Sequence, residues 1–330
     1  MKKLSIYTVL LALFVIIMPL LLSDYGVNLT AEIYIMGIFA MSLGLIMGFA
    51  GLVSLGHGAF FGIGAYTVAL GGQYLQNTYL LLLLSVIICG LVALITGAVF
   101  IRTSKFYFLM ITLAFGQLMF ALFWQMKDWT GGADGMSVSA IMNFGFGEIL
   151  TPMAIYYVMG AAFIGAFILL YLYVNSPAGK ITRGVMENES RMNALGYNIR
   201  IYKLLAYSLS GALAGLAGSL YSYYNLYVSP DLSGWMFSGQ VLIMVIIGGV
   251  GTLMGPALGS GVFIFLQNYI SSYTERWPLI MGALLVILVL AGKGGILHWF
   301  QYLSFKFLSR KKNTSNSSSA KQVEKEEVVS

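Results

Sequence analysis

Apolar residues along this chain come in long runs separated by short polar stretches. Each run approaches or exceeds the ~20 residues a helix needs to cross ~30 Å of hydrocarbon. Strands of a membrane barrel alternate apolar and polar positions with period two, and these runs do not. Helices satisfy their own backbone hydrogen bonds in lipid, so helices are expected. The pattern predicts them at roughly 4–22, 33–51, 56–72, 79–100, 106–126, 151–174, 204–223, 236–253, 256–272 and 278–297. The third and the eighth to ninth are glycine-rich, which predicts short, broken or re-entrant segments. The expected fold is an all-α integral membrane protein, a polytopic helical bundle of about 10 transmembrane segments within residues 1–312. Residues 313–330 offer little apolar surface to bury and predict a disordered cytoplasmic tail.

Composition agrees. Apolar residues make up 59% and charged residues 9%. A soluble domain carries roughly 25% charge, because its surface must be hydrated. The positions of the charges test the scheme independently. With the N-terminus inside, 16 of the 18 Lys and Arg fall on the cytoplasmic side, and only Lys127 and Arg276 lie outside. Seven of the 12 acidic residues lie outside. This is the positive-inside pattern, and it places both termini in the cytoplasm. The net charge of +6 therefore points to topology and not to nucleic acid. The run after Lys2-Lys3 is long for a signal peptide and lacks a clear small-x-small cleavage site, so it is expected to be a retained first helix.

Several chemistries are missing. No G-x-x-x-x-G-K-[ST] phosphate loop occurs, and no H-E-x-x-H. The two histidines, His57 and His298, are far apart, and Cys89 is the sole cysteine. No catalytic constellation and no metal site is expected. No carboxylate falls mid-helix in this scheme, which argues against proton coupling.

Three stretches carry candidate function. The first is Gly51–Tyr66 (GLVSLGHGAFFGIGAY). Its glycines permit close helix packing, with Gly58 and Gly62 on one face. They also permit a broken helix beside a substrate path lined by Ser54, Gly56, His57 and Gly58. The second is Gly248–Gly259 (GGVGTLMGPALG), with Gly249 and Gly251 as path candidates and Pro256 as a break. A glycine-interrupted segment in each half of a transporter points to a path between repeats. The third is the loop of about 175–203. Ala178, Ile181, Val185, Met192 and Leu195 form one helical stripe, interrupted by Asn188. Lys180, Arg183, Glu187 and Arg191 lie opposite. This is an interfacial helix or a docking helix for a soluble partner.

These stretches together resemble the permease subunits of branched-chain amino-acid ABC importers. The matching residues are Gly51–Tyr66, Thr130–Gly135 (TGGADG), Ser176–Lys180, Glu187–Glu189, Ala194–Gly196, Tyr202–Ala206, Ala212–Gly218 and Ile247–Pro256. They span about residues 30–297. The resemblance implies leucine, isoleucine and valine as substrates, with urea, short amides or other amino acids as alternatives within the class. It adds Gly132 and Asp134 to the candidate path. It implies that Arg183, Glu187, Asn188, Glu189, Ala194, Leu195 and Gly196 belong to an ATPase-coupling loop. The implied partners are a second related permease, two cytosolic ATPases and an extracytoplasmic binding protein. The implied location is the bacterial cytoplasmic membrane. ATP and Mg would be used by the partner ATPases, and this chain would bind no cofactor. A stand-alone carrier or channel and a membrane enzyme are the competing classes.

Overall fold

The computed structural model describes residues 2–291, apart from 104, 145, 146, 148 and 150. In chain order the helices are α1 Lys2–Leu21, α2 Asp24–Phe49, α3 His57–Gly71, α4 Thr78–Phe100, α5 Lys105–Gln125, α6 Lys127–Thr130, α7 Pro152–Asn175, α8 Pro177–Glu187, α9 Glu189–Ala194, α10 Ile199–Asn225, α11 Trp235–Gly248, α12 Gly255–Ser271 and α13 Trp277–Ala291. Two-residue strands β1 Met136–Ser137 and β2 Tyr227–Val228 pair antiparallel, Met136 opposite Val228. The sequence pattern did not predict them. The proposed disordered tail and the end of the last predicted helix lie outside the described residues.

Ten of these helices fall where apolar runs predicted them, and the protein is a helical, polytopic membrane bundle. Among the described residues five helices, α2, α4, α5, α7 and α10, are long and apolar enough to cross a membrane. Among the described residues α3, α11 and α12 have 15, 14 and 17 residues, short of the ~20 for a full span. The short α3, α11 and α12 fit the expected broken or re-entrant glycine-rich segments, and the helices alone do not establish the count of about ten spans. Two starts also differ from expectation. α2 begins at Asp24 and α10 at Ile199, well before the apolar edges at 33 and 204. Hydropathy marks the lipid boundary, whereas the helical backbone continues through polar turns beyond it. The earlier start of α2 puts Glu32 inside a helix, one residue before the predicted apolar edge.

α2 is the axis of the bundle. Every residue from Tyr34 to Ile46 is buried, as expected of a helix apolar all round. α7, α10, α11 and α12 surround it. α3, α10 and α4 form a second, tighter layer. Gly64 lies against the Gly215 carbonyl and Gly218 against that of Phe61, so α3 and α10 touch backbone to backbone. α4 has a wide apolar outer face, with Leu83, Ile87, Leu91, Leu94 and Ile95 exposed. Such a surface suits lipid.

The bundle has two distinct ends. At one, Tyr224 donates to the Asn28 carbonyl (3.0 Å) and the Asn143 amide to Thr78 Oγ1 (2.8 Å). This β end gathers the start of α2, the start of α4, the end of α10 and the strand pair. The opposite, α8 end gathers the ends of α4 and α7, the start of α10, and α8 and α9.

Candidate functional site

Two helices begin in the middle of the bundle. The chain leaves α2 at the α8 end, where Gly51 lies against Met186. It turns back inward, and the Leu55 amide reaches Thr112 Oγ1 (3.2 Å), near the midpoint of α5. Only there does α3 start, running to the β end. From the β end, the chain passes β2 and a 3-10 turn, Pro230–Ser233, before α11 starts beside the same part of α5. α11 then runs to the α8 end. The two starts are pinned together: the Gly58 amide donates to Ser238 Oγ (2.8 Å). Helix N-termini leave backbone amides without helical partners and carry partial positive charge. Interrupted backbone at this depth is tolerated where protein surrounds it or a polar cavity opens on it. Ser42, Ser54, His57, Thr112, Ser210, Ser233 and Ser238 converge here, each 0% exposed.

His57 is held by α2 and α10. Its Nε2 lies 3.1 Å from Ser42 Oγ and 3.0 Å from Ser210 Oγ. Ser42 already donates its proton to the Phe39 carbonyl (2.7 Å), and Ser210 donates to the Ser42 carbonyl. Both hydroxyls therefore face Nε2 with lone pairs, and this assigns the ring proton to Nε2. Nδ1 is left as a bare acceptor. Among the described residues it has no hydrogen-bond partner, and neither does buried Ser233 Oγ. Phe39 stacks on the imidazole with centroids 5.8 Å apart.

The eight sequence-predicted path residues fall in three places. Ser54, Gly56, His57 and Gly58 sit at the mid-bundle junction. Gly132 and Asp134 sit at the β end, where the Asp134 carbonyl accepts from Tyr227 OH (2.5 Å). Gly249 and Gly251 form the α11–α12 turn toward the α8 end, with Gly251 at φ +89° against Gly48. The structure brings the first four together and leaves the other pairs apart. Ser42, Thr112, Ser210, Ser233 and Ser238 were missed. A single hydroxyl in an apolar run carries no local signal of which helix it will meet.

At the α8 end the predicted coupling segment folds as two helices. Asn188 separates them, and its Oδ1 caps α9 at the Arg191 amide (2.9 Å). α8 buries Gly179, Thr182 and Val185. Arg183 and Glu187 form an exposed i,i+4 pair (3.8 Å). Glu189 pairs with Lys203 (2.7 Å), whose side chain is 8% exposed while that of Glu189 is 43% exposed. Leu195, expected in the anchored stripe, is 64% exposed, because Asn188 turns α9 away from the continuous-helix register. Ala194 and Gly196 are exposed beside it. A cavity of about 880 Å³ lies between the end of α4 and the start of α10, lined by Arg102, Glu189, Asn193, Tyr197, Arg200 and Lys203. No His/Cys/Asp/Glu group suited to a metal occurs among the described residues.

The chain was compared with known proteins. The LivM permease protein of the Escherichia coli high-affinity branched-chain amino acid transport system is 25% identical over 320 residues, covering 89% of this chain and 75% of that one. The LivH permease protein of Salmonella typhimurium is 23% identical over 283 residues, covering 79% and 90%. The Escherichia coli ribose import permease protein RbsC is 25% identical over 153 residues, covering 44% and 46%. No solved structure matches. A family model described as the permease component of the branched-chain amino acid transport system matches residues 25–290, which takes in the mid-bundle junction and the α8–α9 segment alike, and the chain therefore belongs to that permease family.

Proposed function

We propose that this chain is the membrane-spanning permease subunit of an ATP-binding-cassette importer. It moves leucine, isoleucine or valine across the cytoplasmic membrane, with both termini inside. A second related permease pairs with it, an outside binding protein delivers substrate at the β end, and two ATPases dock at the α8 end. The observation that carries this reading is the junction of two oppositely directed half-helices within a bundle of the permease family. Interrupted helices meeting at mid-depth are a recurrent design for substrate passage. The absence of a phosphate loop from the sequence supports an ATPase on separate chains. Arg183, Glu187, Asn188, Glu189, Ala194, Leu195 and Gly196 serve the coupling segment. Ser54, Gly56, His57 and Gly58 line the path, with Gly132 and Asp134 at its outer mouth and Gly249 and Gly251 toward its inner mouth.

The test is reconstitution of the chain with its partner subunits in proteoliposomes. Leucine uptake is expected only with ATP and the binding protein. Uptake by this chain alone, without ATP, would overturn the reading. The similarity to a ribose import permease favours a second reading, the same machine with another small polar cargo. Uptake of a sugar but no amino acid would select it.

A further inference from the structure

Glu32 is the ninth residue of α2, partly buried and about 7 Å from the helix midpoint at 1.5 Å per residue. It stands one residue before the apolar run that begins at 33, at the edge of the hydrocarbon layer on the β side. A partly buried carboxylate is costly without a cation. The ion pairs found among the described residues, Arg183–Glu187 and Lys203–Glu189, both lie at the far end of the bundle. On α10, Tyr224 donates to the carbonyl of Asn28, one turn before Glu32 (3.0 Å), and Tyr221 lies one turn before Tyr224 on the same helix. On α2, Glu32 shares a helical stripe with Met36 and Phe39 at spacings of four and seven. From there an aromatic series leads inward. Tyr221 meets Phe61 (5.3 Å), Phe61 meets Phe39 (4.6 Å), and Phe237 touches both Phe61 (5.0 Å) and Phe39 (5.6 Å). Phe39 in turn stacks on His57 at the junction.

We propose that Glu32, with the rings of Tyr221 and Tyr224, is a recognition site for the α-ammonium group of an amino acid entering from the β end. This rests on the importer reading above. The ammonium is the one cationic group of a branched-chain amino acid. The carboxylate supplies its counter-charge, and tyrosine faces attract it through their quadrupole. The aliphatic side chain then meets the aromatic series of Phe61, Phe39 and Phe237. Sugars, urea and amides lack the positive charge and are not held at this point.

The experiment uses the full complex in proteoliposomes with saturating loaded binding protein. Glu32→Gln is expected to lower leucine uptake about tenfold, the loss of one charge-assisted contact, with ATP hydrolysis little changed. Glu32→Asp should recover part of the uptake. A second readout separates recognition from a structural role. Binding of leucine and of 2-hydroxy-4-methylpentanoate, which has a hydroxyl in place of the ammonium, is measured on the purified complex without binding protein. The native complex should prefer leucine, and Glu32→Gln should cut that preference about tenfold. Native-like uptake and preference in Glu32→Gln would overturn the proposal. So would loss of the second permease from the complex with the preference intact, which would assign the carboxylate to the permease pair. If the native complex moves no amino acid, the importer reading itself fails and takes this proposal with it, a result visible before any variant is made.

Discussion

A Cβ placed on Gly58 would lie 2.9 Å from Ser238 Oγ and 3.0 Å from the Leu232 carbonyl, and backbone cannot step aside as a side chain can. Gly58→Ala should cost on the order of 1 kcal/mol, and Gly58→Leu about 3 kcal/mol or more by overpacking. Transport should follow, with the alanine variant retained and the leucine variant inactive or unassembled. Full uptake by Gly58→Leu would leave the α3–α11 contact without a role. Ser238→Ala removes the acceptor for the buried Gly58 amide, and an orphaned amide costs about 1–3 kcal/mol. A lower thermal unfolding temperature of the purified complex is the expected result, and an unchanged one would show that the amide has another partner. At this scale the sequence was informative about Gly58 and His57, because glycine density and a lone histidine stand out in an apolar run. It was silent on Ser42 and Ser210. Their importance comes from α2 and α10 meeting beside α3, residues 42, 57 and 210 being joined only by the fold.

Among the elements, α8 and α9 show how much a pattern can and cannot say. The amphipathic face of α8 was legible, since Val185 lies buried as its position in the stripe required. The fate of Leu195 was not, because one extended residue, Asn188 at φ −158°, resets the register. The charges divide in the same way. Glu187 stays exposed in a pair on its own helix, whereas Glu189, 43% exposed, is tied to the buried Lys203, a partner 14 residues on. These two carboxylates should therefore behave differently. Glu187→Lys is expected to reduce copurification of the ATPase subunits while membrane levels of this chain hold. Unchanged copurification would remove the docking role of that face. Lys203→Met should instead free α9 from α10, raising hydrogen exchange across 188–198 without a change in the exchange of α8. Exchange equal to the native pattern would show that the Lys203–Glu189 pair does not anchor α9. Ten helices were readable from the apolar runs, short α6 and the α8–α9 break were not, and helix limits failed wherever polar turns extend past the lipid boundary, as at Asp24 and Ile199.

The molecule as a whole is polarised. Arg102, Lys180, Arg183, Arg191, Arg200 and Lys203 gather at the α8 end, and Asp24, Asp128 and Asp134 at the β end. The charge pattern thus foretold which segments share an end, although each helix was assigned separately. Cys89 is buried and is the sole cysteine, so introduced cysteines can report sidedness cleanly. A membrane-impermeant maleimide added to intact cells should label Asp134→Cys and spare Asn193→Cys. Inverted vesicles should reverse the result, and labelling of both from one side would refute the two-ended arrangement. The junction of α3 and α11 also bears on how the protein is made. Gly58 and Ser238 are 180 residues apart in the chain. A ribosome adding about 5–20 residues per second needs roughly 10–40 s to cover that interval. Through that time the amides opening α3 have no Ser238 to meet, although α2 and α4 can already insert. Biogenesis of this half of the bundle is therefore provisional until the 230–238 segment emerges, and a ribosome stalled before it leaves a nascent chain with an unsealed, polar interior for membrane quality control to find.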